Sequence, residues 1–416
     1  MCTQMVGEMR TIFRESIDAV LPEAAVRDAL CAHPVSGAVT LVAIGKAAWR
    51  MAAAAYEMLG ERVARGLVVT KYGHSMGPIG PLEIIEAGHP VPDENSVRGG
   101  QRALELADAA GTQDVVLLLV SGGGSALFES PLEGVTLGDL ADITRRLLAC
   151  GADIGQINTV RKHLSGVKGG RFAQRCAPAR VMSIVLSDVL GDSLSAIASG
   201  PAYPDTTTSE EAMAIVNRYQ IPLSDGMRRA LEGETPKQLA NVTSVITGSV
   251  RRLCEAASES CLRLGYVPHV LTTTMACEAR EAGSLIASMA REIREGNSCF
   301  QPPCALILGG ETVVHLRGDG LGGRNQELAA AAGLCIDGLS GVCVGSLGSD
   351  GTDGPTDAAG GIVTGDWAAR CREKGLSIEA YLDENDTYSL LDATDALLVT
   401  GPTGTNVNDV AIALIR

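Results

Sequence analysis

Apolar positions along the chain fall into two patterns. Near the start, Val6, Met9, Phe13, Ile17 and Val20 recur at helical spacing, which predicts an amphipathic helix over residues 4–21. Further on the pattern changes to unbroken apolar runs: AVTLVAIG (38–45), GLVVT (66–70), LEIIEAG (82–88), DVVLLLV (114–120) and VMSIVL (181–186). Runs without alternation suit parallel strands covered on both faces. Helical stretches, such as the Ala-rich KAAWRMAAAAYEML after the first run, separate most of them. The expected fold class is α/β, beginning with a Rossmann-like, doubly wound, mostly parallel sheet.

The polar stretch LEGETPKQLANVT (231–243) carries a Gly and a Pro and reads as a boundary, giving domains 1–237 and 238–416. Beyond it TSVITG, YVPHVLTT, CALILGG, TVVHLRG, GVCVGSLG and DALLVTG alternate with helical stretches at 250–264 and 276–294. They predict a second α/β domain, with a mixed sheet. At 416 residues the chain is too long for one ordinary core, which agrees with two domains.

Composition narrows the function. A net charge of −15 repels nucleic acid and anionic membrane surfaces, but admits a small anion wherever basic residues gather. The 12 cysteines form no Cys-x-x-Cys pair, and Cys304 and Cys343 sit in apolar runs, so they read as buried reduced thiols. The N-terminus has no apolar signal core, and no apolar run is long enough to span a bilayer, so a cytoplasmic location without membrane contact is expected.

Candidate chemistry gathers where strands end. Glycine clusters follow predicted strands at 43–46, 120–126, 306–311, 345–361 and 399–406. In open α/β sheets ligands bind beyond the carboxyl ends of strands, where glycine lets the backbone approach and frees N–H groups for anions. Five such loops over two domains suggest a shared cleft. No G-x-x-x-x-G-K-[ST] is present, and the dinucleotide fingerprint fails. Only Gly45 follows the first run, Lys71 stands where an acidic ribose ligand is expected, and Leu127 occupies the third required position after Ser121. Ser121, Gly122, Gly123, Gly124 and Ser125 therefore read as a nest of backbone N–H groups, with a plain strand–helix turn as the alternative.

Between Ile154 and Ser187 there is no Asp or Glu, yet there are Arg161, Lys162, Lys168, Arg171, Arg175 and Arg180. Such a window should attract small anions; Arg161 and Lys168 are the better candidates, and Arg175 and Arg180 suit a solvated surface. His163 reads equally as a core or capping residue and as a functional one. Asp188, at a strand end, suits a metal held through water or a base for a substrate hydroxyl, whereas Asp192 suits a helix cap. Lys46 and Arg324 each open a predicted helix, the wrong end for a cation, which favours an anion-facing role. Asp350, Asp353 and Asp357 could turn the chain or meet a metal or nucleotide; an EF-hand is excluded because its twelfth position is Gly361. His74 and His89 stand open between lining a cleft and serving loop turns. No His-Glu-x-x-His pair or G-x-S-x-G elbow is present, which argues against zinc hydrolase and esterase chemistry.

Taken in order, AIGKAA, KYGH, GHPVPDE, SGGGSAL, TVRKHLSGVKGGR, LSDVLGD, IASGP, GGETVV, GLGGRNQE, GTDGPTDAAGG and TGPTGTNVND resemble the glycerate 2-kinase, or MOFRL, family from about residue 40 to the C-terminus. Some members of that family carry the label hydroxypyruvate reductase. The resemblance implies two α/β domains with the active site in an interdomain cleft, and ATP- and Mg²⁺-dependent phosphorylation of D-glycerate at its 2-hydroxyl. It places Lys46 and Arg324 at the proposed catalytic positions, with Asp188 as base or metal ligand. Ser121–Ser125, with Arg161 and Lys168, would bind substrate or phosphate. Gly309, Gly310, Glu311, Asn325, Gly401, Thr403 and Asn406 are expected at the nucleotide, and Asp350 beside Asp188 at the metal. Arg324 would complete the site on closure. Two rival readings are an NAD(P)H-dependent hydroxypyruvate reductase and a non-catalytic binding protein for a small anionic metabolite. The oligomeric state stays open between monomer and homodimer.

Overall fold

The unbroken apolar runs become central strands. In the computed structural model, which describes residues 2–191 and 193–416, β1 (Val39–Ile44), β2 (Val63–Lys71), β3 (Leu82–Ala87), β4 (Val115–Val120), β5 (Arg180–Leu186) and β6 (Val242–Gly248) form one sheet. Its order is β3-β2-β1-β4-β5-β6, and the pairings β1–β2, β1–β4, β2–β3 and β4–β5 are parallel. This is the doubly wound order, which reverses between β1 and β4. Every residue of β1 and β4 is buried, which is why those runs show no alternation. Leu67, Leu118, Phe128 and Phe172 share the core on this sheet. A separate apolar cluster around Ile143, Val160, Val216 and Leu231 joins the helices Leu137–Ala149, Ile154–Leu164, Ser209–Arg218 and Asp225–Glu232.

The second sheet is mixed. It contains β7 (Val267–Met275), β8 (Cys304–Gly310), β9 (Val342–Gly348), β10 (Gly360–Thr364), β11 (Leu397–Leu398) and β12 (Asp409–Ile415). The order is β11-β10-β9-β12-β8-β7, with β7–β8 parallel and the other pairings antiparallel.

By contacts, residues 22–247 make one compact unit, and residues 1–21 with 248–416 make another. This differs from the expected 1–237 and 238–416 at two places. TSVITG, expected in the second domain, is β6 and completes the first sheet. The predicted N-terminal helix forms over Cys2–Asp18 but packs on the second sheet, against β9 and the helix Val250–Arg263. Gly345 of β9 makes this possible: a Cβ there would lie 2.9 Å from the Phe13 ring and 3.1 Å from Met9. Polar ties finish the seam, with the Tyr266 hydroxyl donating to Glu8 at 2.6 Å and the Ser260 hydroxyl to Glu15 at 2.6 Å.

Other expectations also change. TVVHLRG (312–318) is a loop, with Val313 and Leu316 52% and 81% exposed, and only a single bridge from Val313 to Glu278. DALLVTG yields just the two residues of β11. The cysteines are all free, as expected, but Cys31, Cys150, Cys277 and Cys299 are exposed. Among the described residues no helix is long and apolar enough to cross a membrane. Asp192 and its expected cap lie outside the described residues.

Candidate active site

Where the first sheet reverses, the chain leaves β1 and β4 through two loops that are stitched together. The Lys46 amide donates to the Gly122 carbonyl at 2.8 Å, and the Ala47 amide to the Ser121 hydroxyl oxygen at 3.1 Å. That hydroxyl in turn donates to the Ile44 carbonyl at 3.3 Å, so buried Ser121 clamps the two loops rather than facing a ligand.

Each glycine of the triplet makes room for a different neighbour. A Cβ on Gly122 would lie 2.1 Å from the Asp188 carboxylate. On Gly123, whose φ of +83° is left-handed, it would lie 2.9 Å from the His89 ring and 3.2 Å from the Lys46 side chain. On Gly124 it would lie 2.8 Å from Ala198. Three consecutive glycines thus bring Asp188, His89 and Lys46 against one stretch of backbone. Among the described residues the Gly122 and Gly123 amides donate to no backbone carbonyl, the arrangement of an anion-binding nest.

Ser125 begins the support beneath. Its hydroxyl pairs with that of Ser199 at 2.7 Å, and the Ser199 hydroxyl also donates to the Asn158 side-chain oxygen at 3.3 Å. Ala198 and Ser199 hold left-handed φ values of 50° and 58°, unfavourable by roughly 1–2 kcal/mol each. Asn158 and Ser199 carry little signal in the sequence, because an uncharged amide or hydroxyl does not stand out from its neighbours.

The acid-free basic window is not a free positive surface. Arg161 donates to the Ser125 carbonyl at 2.9 Å, and burial lowers its pKa. Lys168 is fully buried, 2.9 Å from Glu129 and 2.7 Å from the Phe128 carbonyl. Burial brings its pKa down to about 8, with Glu129 working the other way. Lys162 pairs with Asp205, Arg175 with Asp108, and Arg171 donates to the Lys162 and Ser165 carbonyls. Acids from outside the window pair with three of its six cations, Lys162, Lys168 and Arg175. His163 is a buried side chain bonded to the Thr159 carbonyl at 2.9 Å, the core reading of that residue.

In the other unit Arg324 opens the helix Arg324–Cys335 and is held by acids. Its Nε and Nη2 meet the two Asp409 oxygens at 2.6 and 3.0 Å, and its Nη1 meets Glu311 at 3.0 Å. Burial alone would lower the Arg324 pKa, but Asp409, then Glu311 and Asp353, outweigh it and hold the pKa above its ordinary value. Asn408 steadies Glu311 with a 3.1 Å hydrogen bond. The helix start itself is capped from afar: Asp353 accepts the Asn325 and Gln326 amides at 3.1 and 2.9 Å. Burial pushes the Asp353 carboxyl up to about 6, against the pull of those amides.

Several residues expected at the nucleotide make contacts within the protein. Gly309 and Gly310 lie within β8, where a Cβ would meet Cys254 at 2.6 Å and the Met275 backbone at 2.2 Å. Asn325 is buried and bonded to Asp353 and Ser346. The Thr403 hydroxyl donates to the Ser349 carbonyl at 2.6 Å, and Asn406 accepts the Asn408 amide at 3.4 Å. Gly401 adopts φ +70° on an open loop. Asp350 accepts the Thr352 amide and hydroxyl at 3.0 and 3.1 Å, the turn reading of that residue. Among the described residues no group of three or more His, Cys, Asp or Glu could hold a metal ion. Mg²⁺ bound with nucleotide phosphates needs only one or two carboxylates, which Asp188 beside the nest can supply.

The chain matches a domain of unknown function, DUF4147, over residues 8–232 and the MOFRL family over residues 304–409. It is 54% identical over 404 residues to a D-glycerate 2-kinase from Thermotoga maritima, covering 97% of each chain. It is 39% identical over 417 residues to an Agrobacterium vitis protein provisionally named a hydroxypyruvate reductase, covering 98% of this chain and 94% of that one. A crystal structure of glycerate kinase from Thermotoga maritima, 52% identical, matches with a TM-score of 0.97 over 100% of both chains.

Proposed function

Since the chain belongs to the glycerate 2-kinase family, we infer that it transfers the γ-phosphoryl group of ATP to the 2-hydroxyl of D-glycerate, giving 2-phospho-D-glycerate and ADP. The observation that supports a phosphoryl-transfer site is the triplet at the end of β4. There an anion nest, a lysine and a carboxylate share three residues of backbone. A kinase asks its protein mainly for position and charge neutralisation, and these groups supply both.

In this reading the amides of Gly122 and Gly123 and the Lys46 ammonium hold the transferring group. A bond forms between the glycerate 2-oxygen and the γ-phosphorus as the bond to the β–γ bridging oxygen breaks, that electron pair leaving with ADP. Asp188 accepts the hydroxyl proton, either directly or through water. Arg324, aimed by Asp409, is the guanidinium that the other unit offers to an anionic phosphate group. Mg²⁺, held by Asp188 and nucleotide oxygens, would withdraw charge from the phosphates when bound. Arg161 and Lys168 hold the loop in shape instead of touching substrate.

The reductase reading has the doubly wound sheet in its favour, but β2 ends in Lys71 and the loop after β1 carries a single glycine followed by Lys46. Phosphorus NMR of glycerate incubated with Mg-ATP tests the proposal, with 2-phosphoglycerate expected. NADH or NADPH oxidised by hydroxypyruvate without phosphoglycerate formation would favour the reductase. Thermal stabilisation by glycerate without turnover would favour a binding protein.

A further inference from the structure

We propose that Lys71 and His89 form the subsite for the carboxylate of the hydroxy-acid substrate, and that the place of His89 beside Gly123 is what selects the 2-hydroxyl. The inference rests on the kinase reading above and names the residues that recognise its acceptor.

The two cations expected for that role are tied to the protein's own groups. Arg161 is engaged by the Ser125 carbonyl, and Lys168 by Glu129 and the Phe128 carbonyl. The donors left near the nest come from the ends of adjacent parallel strands: the cations Lys46 after β1 and Lys71 ending β2, and the imidazole of His89 just past β3. Register brings them level, with the Gly45 amide bonded to the Val69 carbonyl at 3.1 Å and Lys71 paired to Ala87. His89 lies against Gly123, as its 2.9 Å approach to a Cβ there shows. Burial, then Lys46, Lys71 and His74, hold its pKa below the ordinary value, so at neutral pH its imidazole is an uncharged hydrogen-bond donor with both ammonium groups near enough to act on it. Among the described residues its ring carries no hydrogen bond.

Nearby acids do not compete for this place. Asp93 caps the helix Glu94–Asp108 and accepts the Tyr72 hydroxyl at 2.7 Å, and Glu86 accepts the Ser75 amide at 3.0 Å. A negative ligand group therefore finds donors on this side and a carboxylate, Asp188, on the other, across Gly122 and Gly123. Those two Cα atoms stand about 3.8 Å apart. In glycerate the 2-oxygen is two bonds from the carboxylate carbon and the 3-oxygen three. A carboxylate anchored at His89 and Lys71 presents the nearer hydroxyl over the nest, toward Asp188, and carries the farther one past it.

The test compares the full-length protein with Lys71→Met and His89→Asn by steady-state kinetics, varying D-glycerate and Mg-ATP separately. Glycerate amide serves as an acceptor without the carboxylate, and phosphorus NMR reads the product. Expected are a rise of at least ~10-fold in KM for D-glycerate, the scale of one charged hydrogen bond, and less than ~3-fold change in KM for ATP. The KM for glycerate amide should not move, and 3-phosphoglycerate should appear in the His89→Asn product. Lys71 is half-exposed, so its variant decides the matter if the histidine variant does not fold. Glycerate KM within ~2-fold of the parent in every folded variant, or a rise in KM for ATP alone, overturns the proposal. A parent protein that makes no phosphoglycerate overturns the kinase reading instead.

Discussion

The Arg324 guanidinium meets the Asp409 carboxylate at two points, 2.6 and 3.0 Å apart, with Asp409 almost wholly buried. A buried carboxylate in this fork fixes both the plane and the direction of the guanidinium. Replacing Arg324 with Ala should lower kcat at least ~10²-fold, the scale of losing one charge-stabilising donor. Arg324→Lys should not restore it, since an ammonium cannot make the two-point pair. Asp409→Asn should lower kcat by a smaller factor, and adding it to Arg324→Ala should change nothing further. Turnover of the single and double variants checks this; additive losses would separate Asp409 from the aiming of Arg324.

Lys46 is only partly buried, so its removal should spare the fold. Lys46→Ala should keep its melting temperature and lose at least ~10²-fold in kcat. Gly123→Ala should lose both activity and stability, because the new Cβ would meet His89 and the residue holds a left-handed φ of +83°. The backbone part of that loss is about 1–2 kcal/mol. Denaturant unfolding alongside kinetics separates the two effects.

The Lys168–Glu129 pair is buried on both sides and carries the floor of the nest through Phe128. Lys168→Met alone leaves a buried carboxylate without its counter-charge and should destabilise by roughly 3–5 kcal/mol. Glu129→Gln in the same chain should recover more than half of that, since the glutamine still accepts the Ser130 amide now bound by Glu129 at 3.0 Å. Urea midpoints of the three proteins give the answer. Equal loss in the single and double variants would mean that packing, not charge, holds this region.

Asp353 sets a pH dependence of known sign. Burial lifts its pKa from 3.8 to about 6, so the folded state binds this proton more tightly than the unfolded chain does. Its contribution to stability therefore falls as pH rises from about 4 to about 6, by roughly 3 kcal/mol at most. Relative to the parent, Asp353→Asn should gain stability across that window and run parallel to it above. Urea unfolding at pH 4, 5, 6 and 7 measures the difference, and parallel curves throughout would contradict it.

Much of the framework was legible because burial on both faces leaves a plain mark. DVVLLLV and CALILGG became β4 and β8 almost residue for residue. The run VAIALI carried the same mark, yet it was not read as the strand β12, which lies between β9 and β8. β10 was hidden because its two leading glycines resemble the loop before them. The glycine triplet, Asp188 and His89 were each visible, but their meeting was not, since Asp188 and His89 follow other strands and Ala198 comes from the turn Ile197–Ser199. The basic window misled for the same reason. A run of cations shows along the chain, whereas Glu129, Asp205 and Asp108 reach it only through folding. Periodicity identified the first helix without revealing which sheet it would cover.

That helix has a consequence for biosynthesis. Its apolar stripe, with Met5, Met9, Phe13 and Ile17, belongs to a sheet whose strands begin only at Val267. A nascent chain must therefore carry this sticky segment unpartnered while residues 22–247 emerge and assemble, on the order of tens of seconds at ordinary ribosome speeds. A segment made before residues 22–247 finds its seat only after them. A fusion that crowds this helix should therefore harm the late-finished unit first.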